Sequence, residues 1–297
     1  MSDKIISWGR LQRLLSVGQF PLSISLTLSS QMPDWLAVII LGIIEGVTEF
    51  LPISSTGHLL IPQNLGWLPK QTDLFDVVIQ SGAVVAVLAV FMQRVKQLAT
   101  SLSDRSTQDF LAKLAGAFLI TAVGGLAIKK LDIELPDAIA PVAWATLIGG
   151  IIILVLERAY RGKTGVAEIT WGVVVAVAVA QLIAAVFPGT SRSGASILMA
   201  MAFGIARPAA TEFSFLLGIP TLMAAGGFKI LSAIKDGEAA HEDWGMVALG
   251  TVVSALSAFV VVKWLIRFVQ SHTFNGFAWY RILLGGALIM YVSSQAQ

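Results

Sequence analysis

Apolar residues dominate this chain in long runs that are separated by short polar stretches. The runs lie at 35–51, 75–92, 110–128, 141–156, 170–187, 195–206, 210–232, 245–266 and 277–293. A helix needs about 20 apolar residues to cross the hydrocarbon core of a bilayer. The repeated runs therefore predict an all-α polytopic membrane protein.

Two of the apolar regions, 35–66 and 170–206, are interrupted by proline, glycine, hydroxyl and charged residues. The first carries EGVTEFLPISSTGH over 45–58, and the second carries FPGTSRSGAS over 187–196. Polar groups at membrane depth are costly and indicate function by default. Broken segments in corresponding places of two halves are typical of inverted repeats with a site near the midplane. We therefore expect the two stretches to meet in one anion-handling active site.

Loop charges predict how the chain crosses the membrane. The 93–113 and 157–169 loops and the turn at Arg267 are rich in Lys and Arg, so the positive-inside rule places them in the cytoplasm. The 129–140 and 233–244 loops also carry acidic residues and are better placed outside.

With six crossings between these loops, each interrupted region must enter and leave the membrane on the same side. Each is then a re-entrant helix–loop–helix hairpin. The predicted fold is a single membrane domain over 34–297 that consists of two inverted repeats, at about 34–160 and 168–297. Each repeat has one hairpin and three transmembrane helices.

Residues 1–33 are less apolar and stand apart as an N-terminal extension, which we expect to lie on the membrane surface. Their basic residues Lys4, Arg10 and Arg13 favour the cytoplasm. The hairpin topology instead places the N-terminus outside. If 35–51 crosses the membrane fully, the N-terminus is inside, and the sequence leaves this alternative open.

The first polar stretch has the composition of a nucleophilic site. Glu45 and Glu49 are four positions apart, so they share one helix face, where they either repel each other or hold a cation. A hydroxyl such as Ser55 beside a His that a Glu orients is the layout of an activated nucleophile, and His58 supplies that His. The alternatives are a carboxylate pair turned toward lipid headgroups and a histidine that is only hydrogen-bonded in the core.

The second polar stretch centres on Arg192. An arginine in the middle of an apolar segment costs about 2.5–3.5 kcal/mol on insertion scales. Its planar fork suits carboxylate or phosphate, and a helix that begins near Gly194 would direct N–H groups at the same anion. The alternative is a structural Arg–Glu pair. Both interpretations place Arg192 near Glu45 or Glu49.

Other polar and small residues at membrane depth predict packing. Gln80 and Gln181 are expected to form helix–helix hydrogen bonds, and Gly42 and Gly46 to pack against another helix. The chain has no Cys and only three His, which argues against thiolate chemistry and against a His-built transition-metal site.

Four segments in order, EGVTEFLPISSTGHLL, VIQSGAVVAVLAVF, FPGTSRSGAS and ATEFSFLLGIP, resemble the undecaprenyl-diphosphate phosphatase family, the bacitracin-resistance phosphatases. The resemblance runs from about Trp35 to the C-terminus. It implies a multi-pass hydrolase of the bacterial inner membrane with two inverted repeats. That enzyme would release the terminal phosphate of undecaprenyl diphosphate on the outer face, recycle the lipid carrier of peptidoglycan synthesis and give bacitracin resistance. The family motif ends in Thr where this chain has Ser196, which keeps the hydroxyl.

The resemblance also implies roles for individual residues. Glu45 and Glu49 match the acidic pair, Ser55 the proposed nucleophile, His58 the motif histidine and Arg192 the phosphate-binding arginine. The residues expected to bind substrate are Ser54, Thr56, Gly189, Thr190, Ser191, Ser193 and Ser196. A divalent cation, Mg or Ca, is expected near Glu45 and Glu49.

Two mechanisms remain open at this point. In one, Ser55 attacks with His58 as base and Glu49 orienting His58; in the other, His58 is itself the nucleophile. A transporter or flippase for polyprenyl phosphate is the alternative function. An acid-phosphatase-like enzyme is disfavoured, since only Ser55-Thr56-Gly57-His58 echoes its core motif. The expected partners are the polyprenyl diphosphate lipid, the membrane and a second copy of the chain, and no nucleic acid.

Overall fold

The computed structural model of the protein describes residues 32–131 and 138–295. The predicted surface extension over 1–33 lies outside this part of the chain, apart from residues 32 and 33. The helices, in chain order, are α1 Asp34–Thr48, α2 Ser55–Asn64, α3 Asp73–Val78, α4 Gln80–Val90, α5 Met92–Thr100, α6 Arg105–Lys130, α7 Ile139–Ala159, α8 Trp171–Val186, α9 Arg192–Ala202, α10 Arg207–Asp236, a 3₁₀ turn Glu238–Ala240, α11 Trp244–Ser271 and α12 Asn275–Gln295.

The prediction of an all-helical, multi-pass membrane protein is confirmed. Within the described ranges, six helical stretches are long and apolar enough to cross a membrane: Asp73–Val90, Arg105–Lys130, Ile139–Ala159, Arg207–Asp236, Trp244–Ser271 and Asn275–Gln295. These are the six crossings expected from the apolar runs. The first is broken at Ile79 into α3 and α4. By contrast, α1 and α8 have 15 and 16 residues, a length of only about 23 Å at 1.5 Å per residue.

The outer surface of α6 is apolar, as a lipid-facing surface must be. Leu119, Val123 and Leu126 follow one another at helical spacing on one face, and each is half or more exposed. In a soluble protein such a stripe would be buried against another element. In a membrane, the hydrocarbon chains of the lipid cover this stripe.

Small residues allow the helices to approach closely. A methyl group at Gly46 of α1 would lie 2.3 Å from the Ser254 carbonyl oxygen of α11, and one at Gly82 of α4 would lie 2.2 Å from that of Thr251. Gly285 of α12 meets the backbone of α7 in the same way. The predicted packing role of Gly42 and Gly46 is therefore confirmed, since both face α11.

The short helices form two pairs, α1 with α2 and α8 with α9. The first pair is supported by α11, on which α1 packs, and the second by α6, on which α8 packs. The turns that join each pair, residues 49–54 and 187–191, face each other beside α7 and α12. The two polar stretches of the sequence consist of these turns and the helix ends next to them.

We expect Gly46→Ala to lower the free energy of unfolding by about 1–3 kcal/mol, because the new methyl group meets the backbone of α11 and cannot be accommodated without a shift. Thermal unfolding of the purified protein in detergent measures the effect. Gly125→Ala on α6 is the matched control, since a methyl group there meets nothing within 4 Å. Equal losses in the two variants would contradict the packing role.

Candidate active site

The first turn is organised by Ser54. Its backbone has a φ of 76°, in the left-handed region that residues other than glycine rarely adopt. Its side-chain oxygen accepts a hydrogen bond of 3.3 Å from the Gly57 N–H and so caps α2. The cap starts α2 at Ser55 and fixes the direction in which the Ser55 hydroxyl points.

The second turn has the same construction. Ser191 has a φ of 72°, and its side-chain oxygen accepts a hydrogen bond of 3.1 Å from the Gly194 N–H, which caps α9. The cap starts α9 at Arg192. Each serine caps its helix through the N–H three residues later, a glycine in both cases.

The two turns contact each other directly. Ser191 Oγ donates a hydrogen bond of 3.2 Å to the Leu51 carbonyl, and Ser193 Oγ lies 3.1 Å from the carbonyl oxygens of Glu49 and Leu51. Gly194 packs on Pro52, since a methyl group at Gly194 would lie 3.1 Å from the Cα of Pro52. The two polar stretches therefore meet, as the sequence predicted.

Glu49 is the centre of the site. Its Oε1 accepts a hydrogen bond of 2.9 Å from Arg192 Nη2, and its Oε2 accepts one from the Ser55 hydroxyl. Both Glu49 and Ser55 are buried. The prediction that Arg192 lies near one of the two glutamates is confirmed for Glu49.

The Arg192 guanidinium is only partly used by the protein. Its Nε and Nη1 atoms are buried and have no hydrogen-bond partner among the described residues. The group packs near the Phe50 ring and against Gly218 of α10, where a methyl group would lie 3.0 Å from Nη1. Arg192 therefore keeps two N–H edges available for an anion.

A cavity of about 240 Å³ adjoins Glu49, Ser55 and Arg192. Four of the predicted substrate-binding residues line it: Ser54, Thr56, Gly189 and Ser191. The other lining residues are Gln80, Thr121, Gln181, Ala184, Ala185, Pro188, Thr221, Leu222 and Ala225.

The remaining predicted substrate-binding residues face elsewhere. The hydroxyl of Ser193 is used in the contact between the turns. Ser196 Oγ donates a hydrogen bond of 2.9 Å to the carbonyl of Arg192, inside α9. Thr190 lines a separate, mostly apolar cavity between α7, α8 and α9.

His58 lies outside this cavity lining. Its Nδ1 is 2.7 Å from the Ser54 carbonyl oxygen and its Nε2 is 2.6 Å from the Tyr280 hydroxyl of α12. The ring also stacks on that of Tyr280. The expected Glu49–His58 contact is absent from the described structure, because both ring nitrogens of His58 are directed at Ser54 and Tyr280.

Glu45 is fully buried one helical turn before Glu49. With both groups ionised, no donor among the described residues reaches either of its carboxylate oxygens, and the Glu49 carboxyl group lies close enough to interact with it directly. The charged groups that act on it are Glu49, Asp76 and Arg192. No cluster of three or more His, Cys, Asp or Glu side chains suited to a metal occurs among residues 32–131 and 138–295.

The predicted helix–helix hydrogen bonds of Gln80 and Gln181 are wrong. Gln80 donates instead to the Asp76 carbonyl one turn earlier, at 3.1 Å. Gln181 is buried, and neither atom of its amide has a partner among the described residues. Both side chains face the cavity rather than a neighbouring helix.

Arg281 of α12 is the residue that the sequence reasoning missed. It is 1% exposed, and its guanidinium donates only to backbone carbonyls, those of Pro52, Ala145, Thr146, Gly189 and Thr190, at 2.8–3.1 Å. It therefore joins both turns to α7. The sequence does contain a signal for it, because Arg281 lies inside the apolar run 277–293. A charged residue at membrane depth indicates a role, and this argument applies to Arg281 as it does to Arg192.

Gly149 of α7 makes the space that Arg281 occupies. A methyl group at Gly149 would lie 1.9 Å from Arg281 Nη2 and 2.5 Å from Cζ. Any side chain at this position would push the guanidinium away from the two turns.

We expect Arg281→Leu to lower the free energy of unfolding by about 3 kcal/mol or more, because buried carbonyls in both turns lose their donor. Arg281→Lys should lose less, since it keeps a charge and three N–H donors. Thermal unfolding in detergent measures both. Gly149→Ala should also destabilise the protein, whereas Gly286→Ala on α12, which meets nothing within 4 Å, should not. Wild-type stability of Arg281→Leu would contradict this role.

Comparison with known proteins shows the family to which the chain belongs. Residues 38–287 match the family model described as bacitracin resistance protein BacA. The undecaprenyl-diphosphatase of Rhizobium etli (strain CIAT 652) is 49% identical over 262 residues, which are 88% of this chain and 98% of the relative. That of Xylella fastidiosa (strain 9a5c) is 48% identical over 263 residues, 88% of this chain and 100% of the relative. The undecaprenyl-diphosphatase of Xanthomonas axonopodis pv. citri (strain 306) is 46% identical over 267 residues, which are 89% of this chain and 100% of the relative. The chain belongs to the bacitracin resistance protein BacA family.

Proposed function

We propose that the protein is an integral-membrane phosphatase that hydrolyses undecaprenyl diphosphate to undecaprenyl phosphate and inorganic phosphate. The observation that carries this proposal is one buried carboxylate, Glu49, bound to both a hydroxyl and an arginine at the wall of a cavity. The name undecaprenyl-diphosphatase of the relatives supports the substrate. The reaction returns the lipid carrier to peptidoglycan synthesis and accounts for bacitracin resistance.

Arg192 binds the diphosphate. Its Nη2 is held by Glu49, which leaves Nε and Nη1 for phosphate oxygens. Most of the catalysis of phosphoryl transfer comes from such positioning and charge stabilisation in a site that excludes water. Gly189 and Ser191 bring the backbone of the second turn to the same cavity.

Ser55 is the nucleophile and Glu49 is its base. The Ser55 hydroxyl donates directly to Glu49 Oε2, so its proton passes to that carboxylate as Oγ attacks the terminal phosphorus. The new bond joins Ser55 Oγ to phosphorus, and the bond to the bridging oxygen breaks, which releases undecaprenyl phosphate. Water then attacks the phosphorus of the phosphoserine, and the bond between phosphorus and Ser55 Oγ breaks. Glu49 returns its proton to Oγ, and the oxygen and the protons of the water leave with the inorganic phosphate.

His58 is the second candidate for the nucleophile, but its contacts disfavour it. Both ring nitrogens lie within hydrogen-bond distance of other groups, the Ser54 carbonyl and the Tyr280 hydroxyl. A role in holding the first turn against α12 accounts for these contacts. A transporter for polyprenyl phosphate is also less well supported, because carriage alone needs no hydroxyl with an adjacent base.

We expect purified wild-type protein to release phosphate from a prenyl diphosphate. Ser55→Ala should lose about 10³-fold or more in kcat, since the nucleophile is removed. Arg192→Ala should lose about 10³-fold or more, because the transition-state charge is no longer neutralised. The exposed Ser271→Ala on α11 is the control and should keep wild-type activity.

Rapid acid quench with substrate labelled in the terminal phosphate tests the nucleophile directly, because phosphoserine survives acid and phosphohistidine does not. Label retained on wild type and absent from Ser55→Ala supports Ser55. An acid-labile adduct that disappears in His58→Ala would establish His58 instead. No phosphate release from wild type, with the lipid still bound, would contradict the phosphatase.

We propose that Mg or Ca assists the reaction through Glu45 and Glu49. The two buried oxygens of Glu45 without a hydrogen-bond partner among the described residues support this assignment. Mg commonly uses one or two carboxylates together with substrate phosphate oxygens, so a cage of protein side chains is not required. When bound, the cation would supply positive charge to the diphosphate.

EDTA should abolish phosphate release, and added Mg or Ca should restore it. Glu45→Gln should raise the cation concentration that gives half-maximal activity by about tenfold, because one of the two carboxylate charges is lost. Asp34→Asn, an exposed carboxylate on the same helix, should leave that concentration unchanged. Activity that is insensitive to EDTA would contradict the cation.

We also propose that the fold consists of two inverted repeats with re-entrant hairpins, α1–α2 and α8–α9. The matched caps of Ser54 and Ser191 and the reciprocal packing of the two turns support this topology. The shortness of α1 and α8 supports it as well.

The membrane is, by the same proposal, the bacterial inner membrane, with the basic loops in the cytoplasm and the cavity open to the periplasm or cell exterior. Assembly as a homodimer stays a prediction.

A further inference from the structure

The buried amide of Gln181 has no role in the fold that its contacts explain. Gln181 is 2% exposed in the middle of α8. Its Nε2 and Oε1 have no hydrogen-bond partner among the described residues, and its side chain lines the cavity beside Arg192. A buried amide without partners destabilises the fold relative to a paired one.

Three other polar side chains on the helical walls of the cavity, those of Thr121, Thr221 and Gln80, differ from Gln181 in this respect. Thr121 Oγ1 donates to the Ala117 carbonyl at 2.9 Å, and Thr221 Oγ1 donates to that of Leu217 at 2.9 Å. Gln80 Nε2 donates to the carbonyl of Asp76 at 3.1 Å. Each of these donors is used within its own helical segment, whereas the donor of Gln181 remains available.

The position of Gln181 along α8 indicates which part of the substrate it meets. Gln181, Ala184, Ala185 and Pro188 line the cavity at helical spacing, so they form one face of the chain that leads to the second turn. Pro188 lies in the second turn, and Gln181 precedes it by seven residues, about two helical turns. The apolar Leu222 of α10 lines the same cavity and suits a hydrocarbon chain.

We infer that the Gln181 amide donates a hydrogen bond to the phosphate that remains on the lipid, while Ser55 and Arg192 act on the terminal phosphate. This inference rests on the proposed phosphatase activity and names a second phosphate subsite within it. Such a contact makes the cavity select a diphosphate attached to a lipid over a single phosphate.

The test compares wild type, Gln181→Leu and the control Ser271→Ala, an exposed residue of α11 outside the cavity lining, in detergent. Gln181→Leu should raise the KM for a prenyl diphosphate and the inhibition constant of the prenyl monophosphate product by about tenfold or more, the expected loss for a hydrogen bond to a charged group. Inhibition by inorganic phosphate, which binds at the terminal subsite, should not change. Ser271→Ala should change none of these values.

Thermal unfolding without lipid separates binding from structure. Gln181→Leu should unfold at the wild-type temperature or above it, because leucine leaves no unpaired polar group. A lower unfolding temperature with unchanged KM and product inhibition would assign Gln181 to the fold and overturn the inference. Equal weakening of prenyl monophosphate and inorganic phosphate would overturn its assignment to the lipid-side phosphate.

Two further measurements keep the inference separate from the proposed activity. If wild type releases no phosphate, the proposed function fails. Binding can still be compared between wild type and Gln181→Leu, by the rise in unfolding temperature that prenyl monophosphate causes in each. An equal rise in both would overturn the inference. If Gln181→Leu does not fold, Gln181→Met, which keeps the side-chain length, replaces it in every measurement.

Discussion

The structure depends on how the backbone polar groups of two interrupted helices obtain hydrogen bonds in an apolar medium. A turn has carbonyl groups without helical donors, and hydrocarbon offers no water to donate hydrogen bonds to them. Arg281 supplies donors to carbonyls of both turns, and Ser191 and Ser193 supply hydroxyls to Leu51. The two turns are therefore stable only together, and this mutual dependence brings Glu49, Ser55 and Arg192 within contact.

The two buried arginines illustrate the difference between support and function. Within the described part of the chain, Arg281 donates its hydrogen bonds to backbone carbonyls, and it is buried between α7 and the turns. Arg192 uses one nitrogen on Glu49 and keeps two without a protein partner beside a cavity. Both carry the same insertion cost, but only Arg192 can offer its N–H groups to a ligand. Complete pairing marks the structural arginine, and incomplete pairing marks the binding one.

Several buried polar side chains around the site lack hydrogen-bond partners in the part of the chain that the structure describes. Functional sites commonly carry such destabilising groups, because the groups are needed for activity. Glu45, Gln181 and Arg192 each have side-chain atoms without partners among the described residues. A charged, lipid-linked diphosphate is the kind of ligand that offers acceptors to the arginine and the amide, and a cation would suit the glutamate. Leu222 and the alanines of the cavity wall suit the hydrocarbon chain of the same molecule.

The sequence by itself determined the membrane class, the six crossings, the two polar stretches and the proximity of Arg192 to a glutamate, because burial in lipid makes each polar group conspicuous. It did not determine that Glu49 contacts Ser55 rather than His58, that Tyr280 holds His58, or that Gln181 is left without a partner. Those outcomes depend on side-chain directions and on α12, which is far from both stretches along the chain. Only the tertiary structure decides them, since hydrogen bonds are formed by proximity in space, and the sequence pattern records only position along each helix.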